Sequence, residues 1–156
     1  MRVIVQRVFS GKAVIIQTGE VTGQIKNGLL VYFGIHRYDK EEDIDTMVKR
    51  VLNMKLFGPE DKRWTKSVVE MDYEILLVSQ YTLYAFLNGR KPDFHKCMRN
   101  DTSKPFFEKV VQRFKELYKP EKIQTNHFGT DSNIDAQVDG PVNIIEDFPK
   151  EFEEEN

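Results

Sequence analysis

Four apolar residues, Ile75-Leu76-Leu77-Val78, run directly into Ser79-Gln80-Tyr81-Thr82. The first group suits a buried strand, and the second gathers short hydrogen-bonding side chains at the end of that strand. Backbone N–H groups released where a strand ends can point at the negative oxygen that develops in acyl transfer. Ser79, Gln80 and Thr82 would add polar groups of limited reach around it. The same residue types also close ordinary strands, where they only satisfy the backbone. Asp139-Gly140-Pro141 is the second candidate. Its plain reading is a turn, since glycine and proline punctuate strands. A sharper reading is a cis Gly140–Pro141 bond, a geometry found at roughly 5–6% of X–Pro bonds. That geometry would set the neighbouring carbonyls as a rigid pair of acceptors.

Signatures of other chemistries do not occur. The chain has no glycine-rich phosphate loop, no His-Glu-x-x-His and no Gly-x-Ser-x-Gly elbow. His36, His95 and His127 are isolated from one another, so no local pattern points to a catalytic triad or a metal site. With Cys97 the single cysteine, neither an internal disulfide nor a multi-cysteine metal cluster can form. We therefore expect no metal and no cofactor.

The formal net charge of −2 argues against a protein that coats nucleic acid non-specifically. Charge is nevertheless unevenly placed. Arg90, Lys91, Lys96 and Arg99 fall within twelve residues against one aspartate, while residues 146–156 are strongly acidic. The basic stretch reads either as a solvated face or as a phosphate-contacting loop. Arg2 and Arg7 flank only a short apolar stretch interrupted by Gln6, which is not a signal-peptide pattern. The longest apolar run, 29–35, is too short to cross a bilayer. A soluble, cytoplasmic protein without a membrane partner is the expectation.

The elements that would position these residues read as follows. Strands are expected at 3–8, 13–17, 21–25 and 29–35, with Gly11 and Gly19 as punctuation and Asn27-Gly28 as a hairpin-type turn. The 29–35 run has no alternation, as in a strand covered on both faces. Asp39 with Glu42 three residues later has the logic of a capping box. Ile44, Met47, Val48, Val51 and Leu52 then form a helical stripe. A return to strand at 54–57 precedes the Gly58-Pro59 turn, and 74–80 is a further strand. Residues 84–101 lack a sustained period and read as a long surface loop. A second helix is expected from Thr102 or Ser103, with Pro105 in its first turn and Pro120 at its close. Its core stripe would be Phe106, Phe107, Val110, Val111, Phe114, Leu117 and Tyr118. Short strands at 122–128, 133–138 and 142–146 complete an α+β domain of mostly antiparallel strands with two packed helices. Residues 1–148 form one domain, and 149–156 an acidic C-terminal tail.

These segments together resemble the D-aminoacyl-tRNA deacylases, also called D-tyrosyl-tRNA deacylases. The resemblance covers nearly the whole chain. It starts at Met1-Arg2-Val3-Ile4-Val5-Gln6-Arg7-Val8 and continues through Asn27-Gly28-Leu29-Leu30-Val31 and the run from Tyr73 to Leu83. Lys91-Pro92-Asp93-Phe94-His95, Phe128-Gly129 and Asp139-Gly140-Pro141-Val142 follow in order. It implies a β-barrel-like core and a homodimer with the active site at the interface. Ser79, Gln80, Tyr81 and Thr82 of one subunit would line the pocket, and Gly140-Pro141 would enter from the other. There a cis Gly–Pro pair would present carbonyls that exclude an L side chain and admit a D-residue or glycine. Arg7 would brace that pair, and Phe128 would stack on the terminal base. Arg90, Lys91, Lys96 and Arg99 would contact the tRNA.

The chain departs from the family pattern at several places. Tyr81 stands where the family usually has Phe, Val138 and Asn143 replace the residues outside Asp-Gly-Pro-Val, and Thr130-Asp131-Ser132 replaces a stretch holding a methionine near the terminal adenosine. Ser79 assigns the chain to the D-specific branch, since a related branch acting on mischarged L-alanyl-tRNA has Pro-Gln in place of Ser-Gln. A non-catalytic nucleic-acid-binding protein on the same fold is the competing function class. Two mechanisms fit the deacylase reading. In one the Thr82 hydroxyl attacks the ester, which needs a base beside it. In the other the ribose 2′-OH helps position water while N–H groups of Tyr81 and Thr82 hold the oxyanion, and this second scheme uses what the sequence offers.

Overall fold

The computed structural model describes residues 1–149, so the acidic tail expected beyond them lies outside the described residues. The framework is one long strand, β1 (Arg2–Ile15), whose buried positions alternate at Val3 and Val5, shift phase around Val8, and alternate again at Gly11, Ala13 and Ile15. β1 has three antiparallel neighbours. β3 (Gly28–Gly34) pairs with its first half, β2 (Val21–Ile25) with its second, and β8 (Ser132–Asp147) with nearly its whole length. The 3–8 run and residues 13–15 of the 13–17 run are thus one element, with Ile16 and Gln17 in the turn that follows, and 133–138 and 142–146 likewise share one strand. Apolar alternation reports burial, and a glycine or proline in mid-ladder interrupts that pattern without ending the strand.

Asn27-Gly28 does not close a hairpin, because β2 and β3 both pair with β1 rather than with each other. β3 instead runs parallel to β4 (Glu74–Ser79), and β4 parallel to β7 (Ile123–Thr125). Parallel neighbours need crossovers, which are supplied by α1 (Ile44–Asn53) and α2 (Asn100–Leu117). The parallel pairs explain why the 29–35 and 75–78 runs are apolar on both faces. Leu29, Val31, Phe33, Ile75 and Leu77 face the helices, packing with Met47, Val51, Phe107, Val110 and Phe114. Leu30, Leu76 and Val78 point the other way, to the inside of the curved sheet with Val8 and Ile25. The sheet is nearly closed. A Cβ on Gly23 of β2 would lie 2.6 Å from the Thr125 carbonyl of β7, so only glycine lets these edges approach.

Several expected details resolve differently. Asp39 does not cap a helix. Its buried carboxylate takes the Met1 ammonium at 2.6 Å and the His36 N–H at 2.7 Å, and α1 starts after a 3-10 turn at Glu41–Asp43. Burial raises the Asp39 carboxyl and lowers the Met1 ammonium. Residues 54–57 contribute only an isolated bridge from Phe57 to Lys66. Helix α2 opens at Asn100, which puts Pro105 in its second turn. The 84–101 stretch holds a short hairpin of β5 (Phe86–Asn88) and β6 (Lys91–Asp93). β7 covers only three residues of the expected 122–128 strand. Glu146 and Asp147 belong to β8, where they pair with Arg50 and Arg2.

Candidate active site

β4 emerges from the core at Ser79, and the chain turns at once into a 3-10 segment, Tyr81–Tyr84. Its first hydrogen bond runs from the Leu83 N–H to the Gln80 carbonyl, so the N–H groups of Tyr81 and Thr82 precede the bonded part of the turn. The Gln80 N–H is held by the Phe33 carbonyl at 2.8 Å, and the Gln80 side chain donates to the Thr82 hydroxyl. Ser79, Gln80 and Tyr81 form one wall of a cavity of about 850 Å³. The opposite walls come from Phe94 to Asn100 and from Asn126 to Ser132, where Phe128 rests on Phe107 with ring centroids 5.8 Å apart. Thr82 is exposed and does not line this cavity.

No histidine lines it either. His36 is buried, and burial together with nearby cations, the Met1 ammonium first, lowers its pKa to about 4. It is therefore neutral at pH 7, with Nδ1 accepting the Tyr38 N–H at 3.1 Å. His95 lies 2.6 Å from Asp93 in the exposed hairpin region. Cys97 does reach the cavity, but burial raises its thiol and its Sγ donates to the Tyr81 carbonyl at 3.2 Å. A protonated thiol is a poor nucleophile, so Cys97 serves to hold the turn. Among the described residues, no three His, Cys, Asp or Glu side chains gather as metal ligands.

Gly140 and Pro141 lie elsewhere. In the β1–β8 ladder Gln6 faces Asn143 and Val8 faces Val138, so four residues, 139–142, stand opposite Arg7 alone. The segment bulges out of the ladder, which is how glycine and proline fit within a strand. Gly140 has φ +118, the Gly140–Pro141 peptide is cis, and a Cβ on Gly140 would come 2.8 Å from Val142 Cγ2. Arg7 ties the bulge down. Its Nε is 3.0 Å from Asp139 Oδ2, its Nη1 donates to the Leu56 carbonyl at 2.7 Å, and the guanidinium lies over the Trp64 ring. Arg7, Gly140 and Pro141 line a second groove of about 670 Å³, which shares no residue with the Ser79 cavity.

Of the basic residues, only Arg99 borders the Ser79 cavity. Arg90 and Lys91 sit at the β5–β6 turn, and Lys96 places its Nζ 5.3 Å from the centre of the Phe86 ring. All four are exposed. The residue that the sequence reading missed is Asn126. It is 8% exposed, lines the cavity, and its Oδ1 accepts the Ser79 N–H at 3.1 Å. Nothing local marks it, because β7 and β4 meet only in the folded sheet.

A nearly closed sheet with two helices, opening into a cavity lined by hydrogen-bonding groups, defines a small α+β protein with a polar cleft at a strand end. The family model described as D-Tyr-tRNA(Tyr) deacylase matches residues 4–147. A "D-aminoacyl-tRNA deacylase" of Dictyostelium discoideum is 42% identical over 92% of this chain and 95% of that protein. A "D-aminoacyl-tRNA deacylase 1" of Homo sapiens is 38% identical over 92% of this chain and 68% of that protein. The chain belongs to the D-tyrosyl-tRNA deacylase family. Among solved structures, one described as "c-Myc DNA Unwinding Element Binding Protein" is 36% identical with a TM-score of 0.88, covering 94% of this chain and 98% of that one. Another, described as a probable eukaryotic D-amino acid tRNA deacylase, is 18% identical with a TM-score of 0.79 over 92% of this chain and 97% of that one, a likeness of fold.

Proposed function

We propose that this protein hydrolyses the ester joining a D-amino acid to the 3′ end of tRNA, as a chiral proofreading step in translation. Glycine mischarged on tRNA-Ala is a second substrate. The observation that carries this reading is the cavity walled by Ser79–Tyr81 and Phe128–Ser132, in a chain whose relatives carry the deacylase name. Water adds to the ester carbonyl carbon, and the N–H of Tyr81, which lines the cavity, holds the resulting oxyanion. The carbon–oxygen ester bond then breaks, and the proton from water passes to the ribose oxygen. Free D-amino acid and tRNA result. The ribose 2′-OH positions the water, a role that suits a site without a histidine.

Specificity rests on a second copy of the chain. The protein acts as a cytoplasmic homodimer in which the Gly140-Pro141 bulge of each subunit enters the Ser79 cavity of the other. Its carbonyls leave no room for an L side chain. Two grooves that share no residue, each holding half of the candidate site, support this arrangement. Arg90, Lys91, Lys96 and Arg99 receive the tRNA backbone. Described helices include none long and apolar enough to cross a membrane.

The DNA-unwinding-element-binding name of the 36%-identical structure and the exposed basic hairpin favour a second reading, a nucleic-acid-binding protein without turnover. Deacylation of D-tyrosyl-, L-tyrosyl- and L-alanyl-tRNA decides between them. D-selective turnover is expected. Binding without hydrolysis would overturn the enzyme assignment, and turnover confined to L-alanyl-tRNA would overturn its chirality.

A further inference from the structure

We propose that Asn126 is a specificity-determining residue that hydrogen-bonds the terminal nucleoside of the tRNA. The inference rests on the deacylase reading and extends it to a residue outside the strand-end and Gly-Pro segments. Two observations carry it. First, the orientation of the Asn126 amide is fixed. The Ser79 backbone N–H can only donate, so the atom 3.1 Å away is the carbonyl oxygen, Oδ1. Second, Nδ2 is thereby committed as a donor, among the described residues nothing accepts from it, and Asn126, a residue only 8% exposed, lines the cavity. An amide N–H without a protein acceptor at a cavity wall is free to donate to a ligand. The wall beyond it holds a second unpartnered polar group. Ser132 Oγ is buried without a hydrogen-bond partner and belongs to the same lining.

The chemistry of the ligand follows from its surroundings. Asn126 stands beside Ser79 at the strand end and two residues before Phe128, whose ring is partly buried against Phe107. A flat apolar ring with a fixed N–H donor nearby matches a nucleoside, which offers π-faces and ring or ribose acceptors at its edge. In the proposed reaction the oxyanion is held instead at Tyr81, in the turn that follows Ser79. Asn126 thus does two things at once. It holds the Ser79 amide, taking that N–H out of use as an oxyanion donor, and it presents Nδ2 to an acceptor on the terminal adenosine.

Asn126→Asp separates the two functions, because an Asp oxygen still accepts from Ser79 while the second oxygen replaces the donor with a negative acceptor. Asn126→Ala removes both and serves if the buried carboxylate impairs folding. The probes are adenosine 5′-monophosphate and 3′-(D-tyrosylamino)-3′-deoxyadenosine, whose amide resists hydrolysis, titrated calorimetrically at pH 8. Both should bind about tenfold or more weakly to either variant, the change expected for one lost hydrogen bond plus repulsion in the Asp case. For Asn126→Asp, which keeps the contact to Ser79, KM for D-tyrosyl-tRNA should rise more than kcat falls. Unchanged affinity in a folded variant would overturn the inference, as would loss confined to the aminoacylated probe. If wild-type protein turns over D-aminoacyl-tRNA and the variants bind normally, only the Asn126 role falls. If wild-type protein shows no deacylation, the deacylase reading falls first and this role with it.

Discussion

Thr82 carries a hydroxyl at the place where a nucleophile would be sought, yet its surroundings give it nothing to remove the proton. It accepts from the Gln80 side chain, it stands outside the cavity lining, and no histidine lines that cavity. A hydroxyl without a base is a weak nucleophile. Thr82→Ala should therefore keep kcat within about tenfold of wild type in single-turnover assays. A substrate ending in 2′-deoxyadenosine should be cleaved far more slowly, because it lacks the 2′-OH that the proposed reaction uses to position water. Near-complete loss of activity in a folded Thr82→Ala variant would restore the nucleophile scheme. At this scale the sequence was informative about Ser79 to Tyr81, since an apolar run ending in short polar residues is a local pattern. It was silent about Asn126, whose partner lies 47 residues earlier in the chain.

At the level of elements, closure of the sheet is the feature on which the cavity depends. β7 must end close to β4 for Asn126 to reach Ser79, and β2 must approach β7 for the edges to meet. Gly23 permits that approach. A methyl group there would meet the Thr125 carbonyl at 2.6 Å and Leu76 Cδ1 at 3.0 Å, against backbone that cannot yield freely. Gly23→Ala should destabilise the fold by about 1–3 kcal/mol, seen as a lower urea midpoint with unchanged slope. Stability equal to wild type would show that the edges have slack. The apolar periodicity located the helices and most strands, because burial imposes it directly. Strand partners were less legible. Nothing in the 21–25 and 28–34 runs distinguishes two strands joined by a hairpin from two that share β1 as their partner.

For the whole molecule, the separation of the two grooves has a direct consequence. Ser79 to Tyr81 and Gly140-Pro141 do not meet within one chain, so the proposed site is complete only where two copies face each other. Gln80→Ala should impair the cavity half, and Arg7→Gln should release the bulge by removing the ion pair to Asp139. Mixing the two variants after partial unfolding and refolding should recover D-selective turnover that neither parent shows, since each heterodimer holds one intact site. A mixture no more active than its parents would exclude a site shared between subunits.

What the sequence by itself determined was the α+β class, the helical core stripes, the family resemblance and the two segments that carry the candidate chemistry. Each of these is written locally, in periodicity or in a short motif. The tertiary structure alone decided that β3, β4 and β7 run parallel, that 139–142 leaves the ladder opposite Arg7, and that Asn126 spends its carbonyl on Ser79. Those facts depend on which strands meet, in which register. The physical reason is that an N–H or a C=O is the same group in every residue, so its partner is chosen by the fold and not by the chain around it.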